Sequence, residues 1–108
     1  MPQTYSLYAL EALRLLGGSI RAARIERRLT AQELSERIGI SRPSLHRIER
    51  GDPKSAIGSA FEAAAIVGVP LFETDPGRLA ADLARVEEKL ALLPKMIRRP
   101  KGELDDAF

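Results

Sequence analysis

Apolar residues recur at helical spacing along nearly the whole chain. From Ser6 to Leu29, the positions Leu7, Leu10, Leu13, Leu16, Ile20 and Ala23 return every three or four residues, the stripe of an amphipathic helix. Gly17 and Gly18 interrupt it. Each glycine costs roughly 1 kcal/mol against alanine inside a helix, so the stripe predicts either two helices or one with a weak point. Two short patterns follow. Ala31, Leu34, Ser35 and Ile38 mark the inner face of one helix, and Leu45 and Ile48 that of the next. From about Ser55 to Val67, the positions Ile57, Ala60, Phe61, Ala64 and Val67 predict an alanine-rich core helix. Val69, Pro70, Leu71 and Phe72 then form an apolar cluster, with Phe61 and Phe72 expected in the core. Leu79, Leu83, Val86, Leu90 and Leu93 are spaced four, three, four, three, as in the seam of a short coiled coil. The pattern predicts an all-α chain.

Polar punctuation sets the ends of these helices. Thr30 with Glu33 has the capping-box form, and Ser41 can accept an N–H from the turn made by Arg42, Pro43 and Ser44. Only one tight turn fits between the two starts. Gly39 falls where the first of the pair must stop, since a residue without Cβ tolerates the left-handed conformation. Gly51 closes the second, and Asp52-Pro53 opens a loop. Gly68 stops the alanine-rich helix, while Asp75 and Pro76 have the N-cap and first-turn form for a helix running to about Leu93.

The second short helix leaves Arg42, Pro43, Ser44, His46, Arg47 and Arg50 outward. Guanidiniums crowded on so short a helix suit an approaching anion, and arginine matches guanine O6 and N7 bidentately in the major groove. The reading is a DNA recognition helix; the plainer one, a solvated basic face, is disfavoured by the capped helix pair around Gly39. The net charge of +2 is too mild to argue for nucleic acid, but its distribution is informative. Residues 1–60 hold ten Arg or Lys against six Asp or Glu, and residues 61–108 hold seven against nine.

Other chemistry finds little support. His46 is the sole histidine and cysteine is absent, so no metal site is expected, and no glycine-rich phosphate loop occurs. The pairs Glu87–Glu88 and Asp105–Asp106 are adjacent in sequence and diverge. The expectation is a protein that is not an enzyme and needs no cofactor. No apolar run approaches the roughly 20 residues of a membrane span and no secretory signal pattern is seen, so a cytoplasmic location away from the membrane is expected.

Residues Gly18 to about Val69 resemble the lambda-repressor-like helix-turn-helix family, also called Xre or Cro-type. The resemblance is carried by IRAARIERRLTAQEL, IGISRPSLHRIERG and IGSAFEAAAIVGV. It implies a five-helix DNA-binding domain, here with an extra N-terminal helical segment, a C-terminal helix and a flexible tail. The divisions are 1–17 for the extension, 18–73 for the domain, 74–93 for the C-terminal helix and 94–108 for the tail. The resemblance further implies that Arg24 pairs with Glu49. Two positions depart from the family pattern: Ala31 stands where a phosphate-contacting glutamine is usual, and Pro43 where a base reader is common. Arg42, Ser44, His46 and Arg47 are the candidates for base contact, Arg47 first. Thr30, Gln32, Ser41, Arg50 and Lys54 are the candidates for phosphates, which set register without reading sequence.

The expected function is a sequence-specific, dimeric transcriptional regulator on an inverted-repeat operator, probing two half-sites. Leu79, Leu83, Val86, Leu90 and Leu93 are the dimer candidates, with packing on their own domain as the alternative. The N-terminal segment either packs back on the domain or serves a dimer. In the tail, Leu104, Asp105, Asp106 and Phe108 are the candidates for a protein partner, with Leu104 and Phe108, set among acids, as anchors for a groove. The layout also resembles HipB-type antitoxins, which implies autorepression and a HipA-like kinase toxin as partner. The competing expectation is a protein-interaction module that binds and inhibits a partner, with DNA contact secondary.

Overall fold

A computed structural model of the chain describes residues 3–72, 75–97 and 99. Among these the chain forms five helices and no strand: α1 Leu7–Glu26, α2 Ala31–Ile38, α3 Arg42–Glu49, α4 Ile57–Val67 and α5 Pro76–Leu92. The chain divides into two compact units, Met1–Glu73 and Thr74–Phe108.

α1 is one helix, unbroken at Gly17 and Gly18 and started by Ser6, whose Oγ accepts the N–H of Ala9 at 3.1 Å. The two glycines differ in role. A Cβ on Gly17 would lie 2.3 Å from the carbonyl oxygen of Ile48 and 2.8 Å from that of Glu49, so α1 crosses the end of α3 backbone against backbone. The contact is reciprocal in kind at Gly51. Its φ of +76° is left-handed, and a Cβ there would meet the amide nitrogen of Arg14 at 2.7 Å. Gly18 instead faces open space. The N-terminal half of α1 thus packs back on its own domain through Leu13, Arg14, Leu16 and Gly17, leaving Leu7, Tyr8 and Leu15 exposed.

The core of the first unit is Ile20, Leu34, Leu45, Ile48, Ala60, Ala63, Ala64 and Val67. α1 packs on α3 and α4, and α2 on the same two. The small side chains of α4 line its buried face and let larger residues of α1, α2 and α3 fill the centre. At the far end of α4, Gly68 takes a φ of +81°, and Arg27 from the end of α1 comes so close that a Cβ on Gly68 would meet its Nη2 at 2.6 Å.

Among the described residues the first unit holds four helices, and 69–72 is not helical: Gly68 reverses the chain, and Pro70 has no N–H and disfavours helix before it. Two expectations are corrected here. Phe72 is not core. With a left-handed φ of 59° it turns outward to 73% exposure, and it touches the half-buried Phe61 edge-on at a ring separation of 6.2 Å. Ile57 stands at the first helical position of α4 and is 71% exposed, so the buried face begins at Ala60.

In the second unit, Asp75 Oδ1 accepts the N–H of Arg78 at 2.9 Å and Pro76 occupies the first turn, as its fixed φ suits. α5 ends at Leu92 with Leu93 as C-cap, and it buries none of its residues. Leu104, Asp105, Asp106 and Phe108 lie outside the described residues. No helix among the described residues is long and apolar enough to cross a membrane.

The neighbouring glycines give opposite expectations. Gly18→Ala should raise stability by about 0.5–1 kcal/mol, the helix-propensity gain at an unobstructed site. Gly17→Ala should lower it by on the order of 2–4 kcal/mol, because two carbonyl groups must move to admit the methyl. Urea unfolding followed by circular dichroism measures both, and a Gly17→Ala protein as stable as wild type would refute the close crossing.

Candidate nucleic-acid interface

The site is built from the α2–α3 pair and the start of α4. Thr30 caps α2: its Oγ1 accepts the N–H of Glu33 at 3.0 Å, and Glu33 Oε1 accepts the N–H of Thr30 at 2.8 Å. The N–H donated by the Thr30 backbone, and after it the Thr30 side chain, hold the Glu33 carboxyl below its ordinary range. Ser35 is buried inside α2, where its carbonyl accepts both the Gly39 N–H at 2.8 Å and the Ile40 N–H at 3.0 Å. Gly39, at φ 86° and ψ 32°, then turns the chain into α3. Ser41 caps α3 by accepting the N–H of Ser44 at 3.2 Å.

α3 has two faces. Leu45, Ile48 and Glu49 are buried, whereas Arg42, Pro43, His46 and Arg47, with Arg50 at the C-cap, are exposed. The buried carboxylate is the anchor. Arg24 of α1 donates from Nε to Glu49 Oε2 at 2.7 Å and from Nη2 to Oε1 at 3.1 Å, and its Nη1 reaches the carbonyl of Leu29 at 3.0 Å. The hydrogen bond to Glu49 raises the Arg24 pKa above its ordinary value despite burial. The fork fixes α3 to α1 and to the α1–α2 turn together.

The outward side chains fall into two groups. Arg47 is pre-oriented, since its Nη2 donates to Ser44 Oγ at 3.0 Å and Ser44 Oγ in turn accepts from Ser41 Oγ at 2.9 Å. Arg42 and His46 extend along the same exposed face. Of the phosphate candidates, Thr30 and Ser41 both serve as caps, and Gln32 Nε2 donates to Glu36 at 2.7 Å. Lys54 stands exposed in the loop after α3, where its backbone N–H is held by Asp52 Oδ1 at 2.8 Å.

A cleft of about 230 Å³ separates α3 from that loop, lined by Ile40, Ser44, Arg47, Ile48, Lys54, Ser55, Ala56 and Ser59. It gathers Arg47, Lys54 and the start of α4, whose N-cap Ala56 supplies no side-chain hydrogen bond. A helix start without a side-chain cap, beside two cations, suits a phosphate oxygen. Ser55 and Ser59 are the additions that sequence reasoning missed; Ser55 Oγ is buried without a hydrogen-bond partner. The signal available was the alanine at the cap of α4, where serine, threonine or aspartate would have been ordinary.

Removing one partner of the buried fork, by Glu49→Ala or Arg24→Ala, should cost about 3–5 kcal/mol, because the other charge is left buried and unpaired; chemical denaturation reads it. The Glu33 cap gives a pH expectation. Its folded pKa is depressed, so its stabilising effect is complete above the unfolded value and disappears as the pH falls through the folded one. The stability gap between wild type and Glu33→Gln should therefore close on acidification, and a gap that widened would contradict the cap.

Comparison with known proteins agrees with this geometry. The family model for helix-turn-helix matches residues 20–73, half of the chain, and spans α2, α3, α4 and the part of α1 that carries Arg24. No curated protein and no solved structure matches the chain. The chain belongs to the helix-turn-helix family of the Xre and lambda-repressor-like type.

Proposed function

We propose that this protein is a sequence-specific transcriptional repressor that binds an inverted-repeat operator as a dimer, including the operator of its own gene. α3 enters the major groove of each half-site, with Arg47 on a guanine edge and Arg42, Ser44 and His46 beside it. Lys54 and the start of α4 take the flanking phosphates. The observation that carries the reading is the division of α3: one face is locked into the core by Leu45, Ile48 and the Arg24–Glu49 fork, while the other presents Arg42, His46, Arg47 and Arg50 to solvent. Crowded cations on a rigidly held face repel one another unless an anion approaches. Rigid mounting is also what base reading needs, since bidentate contacts tolerate little misplacement.

No catalytic step is assigned to the chain. The proposed mechanism is steric, in which occupancy of the operator by two such domains excludes the transcription machinery.

A fluorescence-anisotropy titration on the DNA upstream of the protein's own gene, beside a scrambled duplex at equal salt, tests the proposal. A preference on the order of a thousandfold is expected for the upstream DNA. Arg47→Ala should cost roughly 1–3 kcal/mol on the operator and little on scrambled DNA, while Lys54→Ala should weaken both alike and reduce the salt slope by about one. Equal weak binding of wild type to both duplexes would overturn the proposal.

A further inference from the structure

Leu79, Leu83, Val86, Leu90 and Leu93 form one apolar line along α5, and each remains exposed, from 38% at Leu79 to 61% at Leu90. Such a line on a 17-residue helix calls for a covering surface. The residues beside it say which. On one flank of the seam stand Asp82 and Lys89, and on the other Ala80 and Glu87. Flanking positions of this kind set partner and orientation in paired helices.

Two orientations are open to a pair of identical helices. A parallel pair brings unlike flanks together and sets Asp82 against Glu87 of the second copy, a like-charge contact made twice by symmetry. An antiparallel pair brings like flanks together. Asp82 then meets Lys89 of the second copy, again twice, and Glu87 meets only Ala80. In the register that makes these contacts, Leu79 faces Leu90 and Leu83 faces Val86 across the pair, so the apolar layers close at the same time.

We propose that α5 is covered by α5 of a second copy of this chain in the antiparallel orientation, held by the Leu79–Leu90 and Leu83–Val86 layers and selected by reciprocal Asp82–Lys89 pairs. The inference rests on the dimeric reading above and adds the occupant, the register and the residues that choose them. Asp82 already contacts Arg85 on its own helix; a carboxylate accepts from both, so the intrahelical contact leaves the intermolecular one available.

Sedimentation equilibrium of the full-length protein at low and moderate salt tests it, using three charge variants alongside wild type. The antiparallel pair predicts that Asp82→Lys and Lys89→Glu each weaken dimerisation by roughly tenfold, and that the double variant Asp82→Lys/Lys89→Glu returns to within about twofold of wild type. Asp82→Lys also loses its contact with Arg85. Lys89→Glu does not touch that contact, and restoration in the double variant could not follow from a loosened helix. A dimer tightened by Asp82→Lys would overturn the proposal in favour of the parallel pair, since it replaces repulsion from Glu87 by attraction. Unchanged dimerisation in both single variants, or a wild type that stays monomeric, overturns it as well. The same samples titrated on operator and scrambled DNA separate the two readings: retained operator preference with a tightened Asp82→Lys dimer defeats only the orientation, whereas absent preference in wild type defeats the DNA-binding reading.

Discussion

The buried fork between Arg24 and Glu49 is the constraint on which the outward face of α3 depends. Glu49 is the last residue of α3 and Arg24 lies in the last turns of α1, so a single bidentate contact spans 25 positions of sequence. Taking both charges from water is expensive, and the attraction offsets that cost only while the planar groups stay aligned. This makes the pair a poor source of net stability and a good source of geometry. Because Arg24 also holds the Leu29 carbonyl, the entry to α2 is tied to the same point. Whatever α3 presents outward is thereby referenced to the rest of the domain.

A second, steric constraint reinforces the first. Gly17 lets α1 lie on the carbonyl groups of Ile48 and Glu49, and Gly51 lets the chain leaving α3 pass against Leu13 and Arg14. The end of α3 is therefore held by α1 through two close backbone approaches and one charge pair. Part of this grip comes from residues ahead of the family match, which begins at residue 20. The N-terminal half of α1 thus acts as a splint for the end of α3.

The outward face shows the complementary economy. Ser41, Ser44 and Arg47 form one chain of hydrogen bonds in which the cap of α3 also steers the guanidinium. Loss of rotamer freedom on binding is one of the costs of recognition, and a side chain already held in place loses less. Lys54, by contrast, stands on a loop and keeps its freedom, which suits contact with a phosphate more than with a base edge.

Much of this was legible in the chain, because helix ends and faces are local properties. Thr30, Glu33, Gly39, Ser41 and Asp75 announce their caps through bonds made within a turn, and the period of Leu34, Ile38, Leu45 and Ile48 follows from helix geometry. The division of α3 into a buried apolar side and an exposed basic side was readable for the same reason. What the tertiary structure decided was every matter of what stands opposite. The two adjacent glycines are indistinguishable in sequence, yet only Gly17 meets another backbone. Phe72 has the composition of a core residue, yet the turn after Gly68 and Pro70 carries it outward. The cleft that joins Ser55 and Ser59 to Arg47 and Lys54 depends on how α4 packs beside α3. A sequence determines the shape and polarity of each helix from its own spacing, whereas the gap between two helices is set by side chains and backbone from both, which no single stretch contains.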